Sequence, residues 1–209
     1  MNTTSTLGLT AESASRKLTL SDIADSRAYE RDRADYRDRV MEIKRRRRVH
    51  LGTVVTLMFE SRETMRFQIQ EMARVERIMT DEGIQEELDT YNVMVPEPGQ
   101  LCATLFIELT SDDELREWLP KLVGIERSIV LHLPDGTQVR CVVDAQHAAR
   151  LTREHVTSAV HYVTFELSAD QVDAFTDGVV LAIDHPAYME QTELSATTVA
   201  ELRADLLGE

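Results

Sequence analysis

Thiol chemistry has little to work with in this chain, which holds two cysteines among 209 residues. Cys102 and Cys141 lie in separate apolar runs, "LCATLFIEL" and "VRCVVD", and form no CxxC pair. That spacing offers neither a zinc ribbon nor a redox dithiol, and the chain cannot hold an iron–sulfur centre by itself. Both cysteines read as buried, reduced thiols. Glycine is scarce at eight residues, and neither GxGxxG nor GxxxxGK[ST] occurs, so a glycine-rich loop cradling phosphate is not expected. HExxH, GxSxG and the EF-hand loop are also missing, which weighs against the commonest hydrolase and metalloprotease classes. No apolar run approaches the ~20 residues of a membrane helix. The opening "MNTTSTLGLTAESAS" has neither a basic start nor an apolar segment, so the expectation is a cytoplasmic protein without a secretory signal. Positive charge is the minority: 23 Lys and Arg against 37 Asp and Glu give a net charge of −14. A general nucleic-acid binder needs a positive face, so that class is disfavoured.

What is present suits one folded domain. Hydrophobic residues make up 43% of the chain and charged ones 29%, enough for a sizeable core. Residues 1–17 are rich in Ser and Thr and aperiodic, and are expected to form a disordered tail. Residues 18–52 read as a charged helical arm, capped by Ser21 or Asp22 and ended at Gly52. At about 100° per residue, Tyr29, Tyr36, Val40 and Ile43 form one apolar stripe along it.

Residues 53–190 read as the core of the domain. "TVVTLMFE" is a strand by its β-branched content. Two helices follow, over 61–79 and in "IQEELDTYNVMV", and "PEPGQ" breaks the chain at 96–100. Strands then dominate: "LCATLFIEL", "SIVLHL" and "TQVRCVV" flanking a "PDG" turn, "TSAVHYVTFEL" and "VVLAIDH". Short helices are expected in "SDDELREWLPKL" and "SADQVDAF". Residues 191–209 end in a helix with Ser195 as its cap, a Leu194–Val199 staple, and Val199, Leu202 and Leu206 buried. The order predicts an α+β fold: a largely antiparallel or mixed sheet of about six strands packed with helices, preceded by the charged helix.

Three groups of residues are candidates for function. The run Lys44, Arg45, Arg46, Arg47 and Arg48 is the densest positive patch. It reads either as a contact for phosphate, RNA or an acidic partner, with the net charge ranking RNA and phosphate last, or as cations placed to complement a helix C-terminus. The six histidines, His50, His132, His147, His155, His161 and His185, include no HxH or HxxxH pair. His132 and His161, on separate strands, are the ones that could converge. His185 precedes Pro186 and reads as a turn residue. In the helix over 61–79, Met65, Ile69, Met72 and Met79 share one side and Glu63, Arg66, Gln70, Arg74 and Arg77 the other. Glu76 falls inside the apolar stripe and Gln68 at its border. A carboxylate on an apolar face must be paired, coordinated or protonated. Glu76, with Gln68, Glu63 or Glu71 and a histidine, is therefore a candidate pocket or metal site.

"RETMRFQIQEMARVERI", "KRRRRVHLG", "LFIEL" and "LAIDHPAY" together resemble the bacterial family called domain of unknown function 3501, from about residue 18 to the C-terminus. The resemblance implies no activity, cofactor or catalytic residue. It implies company, since members are often encoded near rubrerythrin-like proteins and iron–sulfur oxidoreductases of the heterodisulfide-reductase type. Two expectations follow. The first is a non-enzymatic accessory protein without a cofactor, docking on a redox or peroxide-handling metalloprotein through the basic run. The second is a metal-binding enzyme or sensor holding a divalent metal or iron at a Glu/His site that includes Glu76.

Overall fold

The computed structural model describes residues 15–143 and 156–209; His147 and His155 lie outside them. Two four-stranded antiparallel sheets form the body. In the first the order is β1 (Arg48–Leu51), β2 (Val55–Phe59), β3 (Gln100–Ile107), β6 (Val160–Glu166). In the second it is β5 (Gln138–Arg140), β4 (Ile129–His132), β7 (Val180–His185), β8 (Tyr188–Glu193). The α+β class holds, with eight strands in two sheets where the sequence suggests about six in one.

The sheets pack face to face over a common core. Strand alternation explains it: Leu101, Ala103 and Leu105 of β3 point inward with Val163 and Phe165 of β6, toward Ile129, Leu131, Leu181 and Ile183 of the second sheet. Two seams join the sheets. At one, Val142 and Thr164 exchange backbone hydrogen bonds of 2.7 and 2.9 Å. At the other, Tyr188 Oη donates to the Leu51 carbonyl at 2.6 Å and accepts from Val54 N at 3.3 Å. Gly52, at φ 64°, turns β1 into β2 there, and a Cβ on it would meet that hydroxyl at 2.4 Å. Only glycine fits this close approach.

The opposite face of the first sheet is covered by helices. Helix α1 (Ser26–Arg47) is capped by Asp25, whose carboxylate accepts from the Arg27 and Ala28 amides. It starts later than Ser21 or Asp22 because those residues form a short 3-10 turn, Leu20–Asp22, and Ile23–Asp25 runs on before the helix. It ends before Arg48, because Val49 and Leu51 alternate buried against exposed Arg48 and His50 and pair with β2. Tyr29, Tyr36 and Val40 bury their stripe against Phe67 of α2 (Arg62–Glu76). Helix α3 (Asp81–Tyr91) adds Leu88 to a cluster with Met65, Ile69 and Cys102.

Two short helices, α4 (Asp112–Trp118) and α5 (Ala169–Ala174), lie where the sequence places them. The last helix, α6 (Ala196–Leu207), is capped by Ser195 and buries Val199, Leu202 and Leu206 in the common core, with Leu194 beside them. The "PDG" hairpin forms with Gly136 at φ 88°. Residues 15–17, within the span assigned to a tail, contact the body: Ser15 Oγ donates to Glu97, Arg16 pairs with Asp205, and Lys17 Nζ donates to the Val95 carbonyl. Those partners lie 78 to 189 residues away along the chain, beyond the reach of a local pattern.

Candidate functional site

Residues of the basic run have partners inside the chain. Arg47 is 5% exposed and binds Asp205 and Glu201 of α6. Arg46 Nε lies 2.8 Å from Glu201, Arg45 forks onto Glu42, and Arg48 reaches Glu108 at 3.0 Å. Lys44 Nζ stands 5.6 Å from the Phe67 ring centroid. Thr198 Oγ1 donates to the Arg46 carbonyl, satisfying an acceptor at the end of α1. The run thus seats the end of α1 on α6, and its most outward member is Arg45.

Helix α2 separates the proposed pocket residues. Ser61 caps it by accepting from the Thr64 amide. Its buried side chains are Thr64, Met65, Phe67, Ile69, Gln70 and Ala73. Glu76 is exposed at the last turn, and Gln68 and Glu63 are half-buried on the surface. The predicted stripe fails at its end because the helix stops there: Arg77 adopts a left-handed conformation (φ 58°), and Met79 emerges 76% exposed. His161 lies on the interior face of β6, on the far side of the first sheet from α2, and His132 sits half-buried on β4 of the second sheet. The structure therefore does not bring Glu76 together with either histidine. Among the described residues, no three His, Cys, Asp or Glu side chains are placed to hold a metal ion.

Glu71 has a different role from the one its spacing suggested. It accepts from Arg33 Nε and Nη2 at 2.7 and 2.8 Å, from Tyr29 Oη at 2.6 Å and from Arg74 at 3.3 Å. The Arg33 bonds above all hold its carboxyl down at about 2. This cluster fastens α1 to α2. Both thiols are buried, and burial raises Cys102 and pushes Cys141 up to about 11. His185 ends β7 and fixes the turn at Pro186, with Nε2 near the Val123 carbonyl and Nδ1 accepting from the Ala187 amide.

The feature the sequence did not reveal is a cleft of about 350 Å3 where the starts of α1 and α3 meet the end of α2. Leu20, Ile23, Ile78, Met79 and Ile84 supply its apolar walls, with Gln70 and Arg74 also lining it. Gln70 is buried because its amide pairs both ways with the Ala24 backbone, at 2.9 and 3.0 Å. On a wheel it belongs to the outer face, and its partner lies 46 residues upstream. Val75, 63% exposed, and Met79 carry apolar surface outward beyond the cleft.

The family described as a protein of unknown function (DUF3501) matches residues 17–206. A crystal structure of a novel protein of unknown function from Burkholderia pseudomallei is similar throughout: 35% identity, TM-score 0.82, covering 91% of this chain and 99% of that one. No curated protein matches. Among the described residues, no helix is long and apolar enough to cross a membrane.

Proposed function

The chain belongs to the DUF3501 family, and we propose that it is a non-enzymatic accessory protein of the cytoplasm that works beside redox metalloproteins. Its partner is a rubrerythrin-like protein or an iron–sulfur oxidoreductase. The observation that carries this reading is the cleft between α1, α2 and α3, lined in part by the exposed Met79, with Val75 exposed nearby in the sequence at the end of α2. Apolar side chains presented together at a concave surface suit a protein contact. The basic run is the weaker surface for docking, because Arg47 is buried and its neighbours already face carboxylates.

Titration of a rubrerythrin-like partner tests the proposal. Val75→Ser with Met79→Ser removes the apolar rim from exposed positions and should leave the fold intact while weakening binding about tenfold or more, ~1.4 kcal/mol. Arg45→Glu with Arg48→Glu is the comparison. If only the charge-reversed pair weakens binding, with strong salt dependence, the contact runs through the basic residues. A purified protein that binds neither partner class and carries near-stoichiometric metal would replace this proposal with the metal-site reading.

A further inference from the structure

Close backbone contacts fix the shape of the cleft between α1, α2 and α3. Arg77, left-handed at φ 58°, turns the chain out of α2, and the Ile78 amide donates to the Ala73 carbonyl at 2.9 Å. Thr80 then caps α3, and Ile78 lies so near that helix that a Cβ on Gly83 would meet its Cγ2 at 2.6 Å. Across the cleft, Gln70 clasps the Ala24 backbone at 2.9 and 3.0 Å. Ile78 and Ala24 are therefore set at a fixed spacing, and a preformed wall of this kind lowers the ordering cost of binding.

The charged side chains that line the cleft are Asp25, Arg27, Arg74 and Asp81. Asp25, Arg27 and Asp81 are exposed, and the Asp25 carboxylate is engaged by the Arg27 and Ala28 amides. Arg74 is half-buried, and its carboxylate is Glu71, 3.3 Å from Nη2. Glu71 already takes Arg33 Nε and Nη2 at 2.7 and 2.8 Å and the Tyr29 hydroxyl at 2.6 Å. Two guanidiniums thus share one carboxylate, and Arg74 holds it by the longest bond. Its Nε is buried and meets no acceptor among the described residues. A guanidinium offers five donors in a fixed fork, and a buried donor left without an acceptor is costly.

We infer that the cleft takes an amphipathic helix of the partner protein, whose apolar face carries at its edge a carboxylate side chain bound by Arg74. This rests on the reading of the cleft as the partner contact and adds what the partner must present. A groove walled by Leu20, Ile23, Ile78, Met79 and Ile84 suits apolar side chains repeating at helical spacing. The carboxylate supplies the acceptor that Glu71, shared with Arg33 and Tyr29, does not fully provide, and a guanidinium receives it through charge-assisted hydrogen bonds. An amide at that place in the partner would lack the charge, and a lysine would repel Arg74.

The full chain is titrated with each partner class in turn, then with synthetic peptides covering the surface helices of the partner that binds. Arg74→Gln should weaken binding about tenfold or more. Its urea-unfolding midpoint should stay near that of the wild type, because Arg33 and Tyr29 still hold Glu71. Arg74→Lys keeps the charge without the fork, and its affinity should fall between the two. One helical peptide should bind, and exchanging its acidic residue for glutamine should weaken its binding to the wild type but not to Arg74→Gln. Affinity that drops on Met79→Ser but not on Arg74→Gln would overturn the inference and leave the accessory reading standing. So would a peptide exchange that costs the wild type and Arg74→Gln equally. A wild-type chain that binds neither partner class would remove both.

Discussion

Arg47 and Asp205 face each other in the interior, one at the end of α1 and the other near the end of α6, and each is almost wholly buried. Arg16 reaches the second oxygen of the same carboxylate at 3.3 Å. Removing Asp205 leaves a buried guanidinium with, among the described residues, Glu201 beside it. Asp205→Ala should cost about 3–5 kcal/mol in chemical denaturation, the range for breaking a buried pair from one side. Arg45→Ala, which loses an exposed pair, should cost roughly 0–0.5 kcal/mol in the same assay. Equal effects would mean that the run does not anchor α1.

Glu71 gathers Tyr29, Arg33 and Arg74 onto one carboxylate. Its folded-state pKa, about 2, lies below the ordinary value of 4.5. The stability it contributes is complete above 4.5 and is lost as pH falls from there toward 2. Glu71→Gln should destabilise the protein by about 2 kcal/mol at neutral pH. It should also flatten the stability profile between pH 4.5 and 2, as read by urea unfolding at successive pH values.

His161 shifts the opposite end of the mild-acid range. Burial lowers its pKa below the ordinary value of 6.5. Unfolded chain therefore takes up a proton that the folded chain refuses, and the stability associated with the neutral ring is present above about 6.5 and declines as pH falls. Thermal unfolding measured from pH 7.5 down to 5.5 should show this decline, and His161→Gln should remove its share of the slope.

Arg77 adopts the left-handed conformation that closes α2, with its own amide and that of Ile78 both donating to the Ala73 carbonyl. Glycine suits this position better than any side chain. Arg77→Gly should raise stability by roughly 0.5–1 kcal/mol. A loss would show that the Arg77 side chain contributes more than its conformation costs.

Reading the sequence works where a pattern is local. The Ser195 cap holds the start of α6, and the stripe of α6 faces the core. It fails where short strands lack alternation strong enough to stand out. Residues 48–51 continue a helical charge pattern, yet pairing with β2 makes them β1. β8 is mostly exposed beyond Tyr188, so its polar sequence hides a strand that its partner β7 imposes. The candidate site was less legible still. Glu76 stood out on an ideal wheel because the wheel assumes a helix through residue 79, whereas α2 ends at 76. The cleft depends on Ala24, Gln70 and Ile84 arriving from three separate segments, and no spacing encodes that meeting.

The seam between Tyr188 and Leu51 also sets the order in which the protein can be completed. These residues are 137 positions apart, and the Arg47–Asp205 pair beside it spans 158. A chain emerging from the ribosome can pair β1 with β2 early, but it cannot close the seam at Leu51 until β8 has appeared, nor pair Arg47 with Asp205 until α6 has. Loops of this length make closure slow relative to hairpin formation. Until then the edge of the first sheet at Leu51 lacks its tie to the second, so the segment from β8 through α6 acts as the latch of that edge.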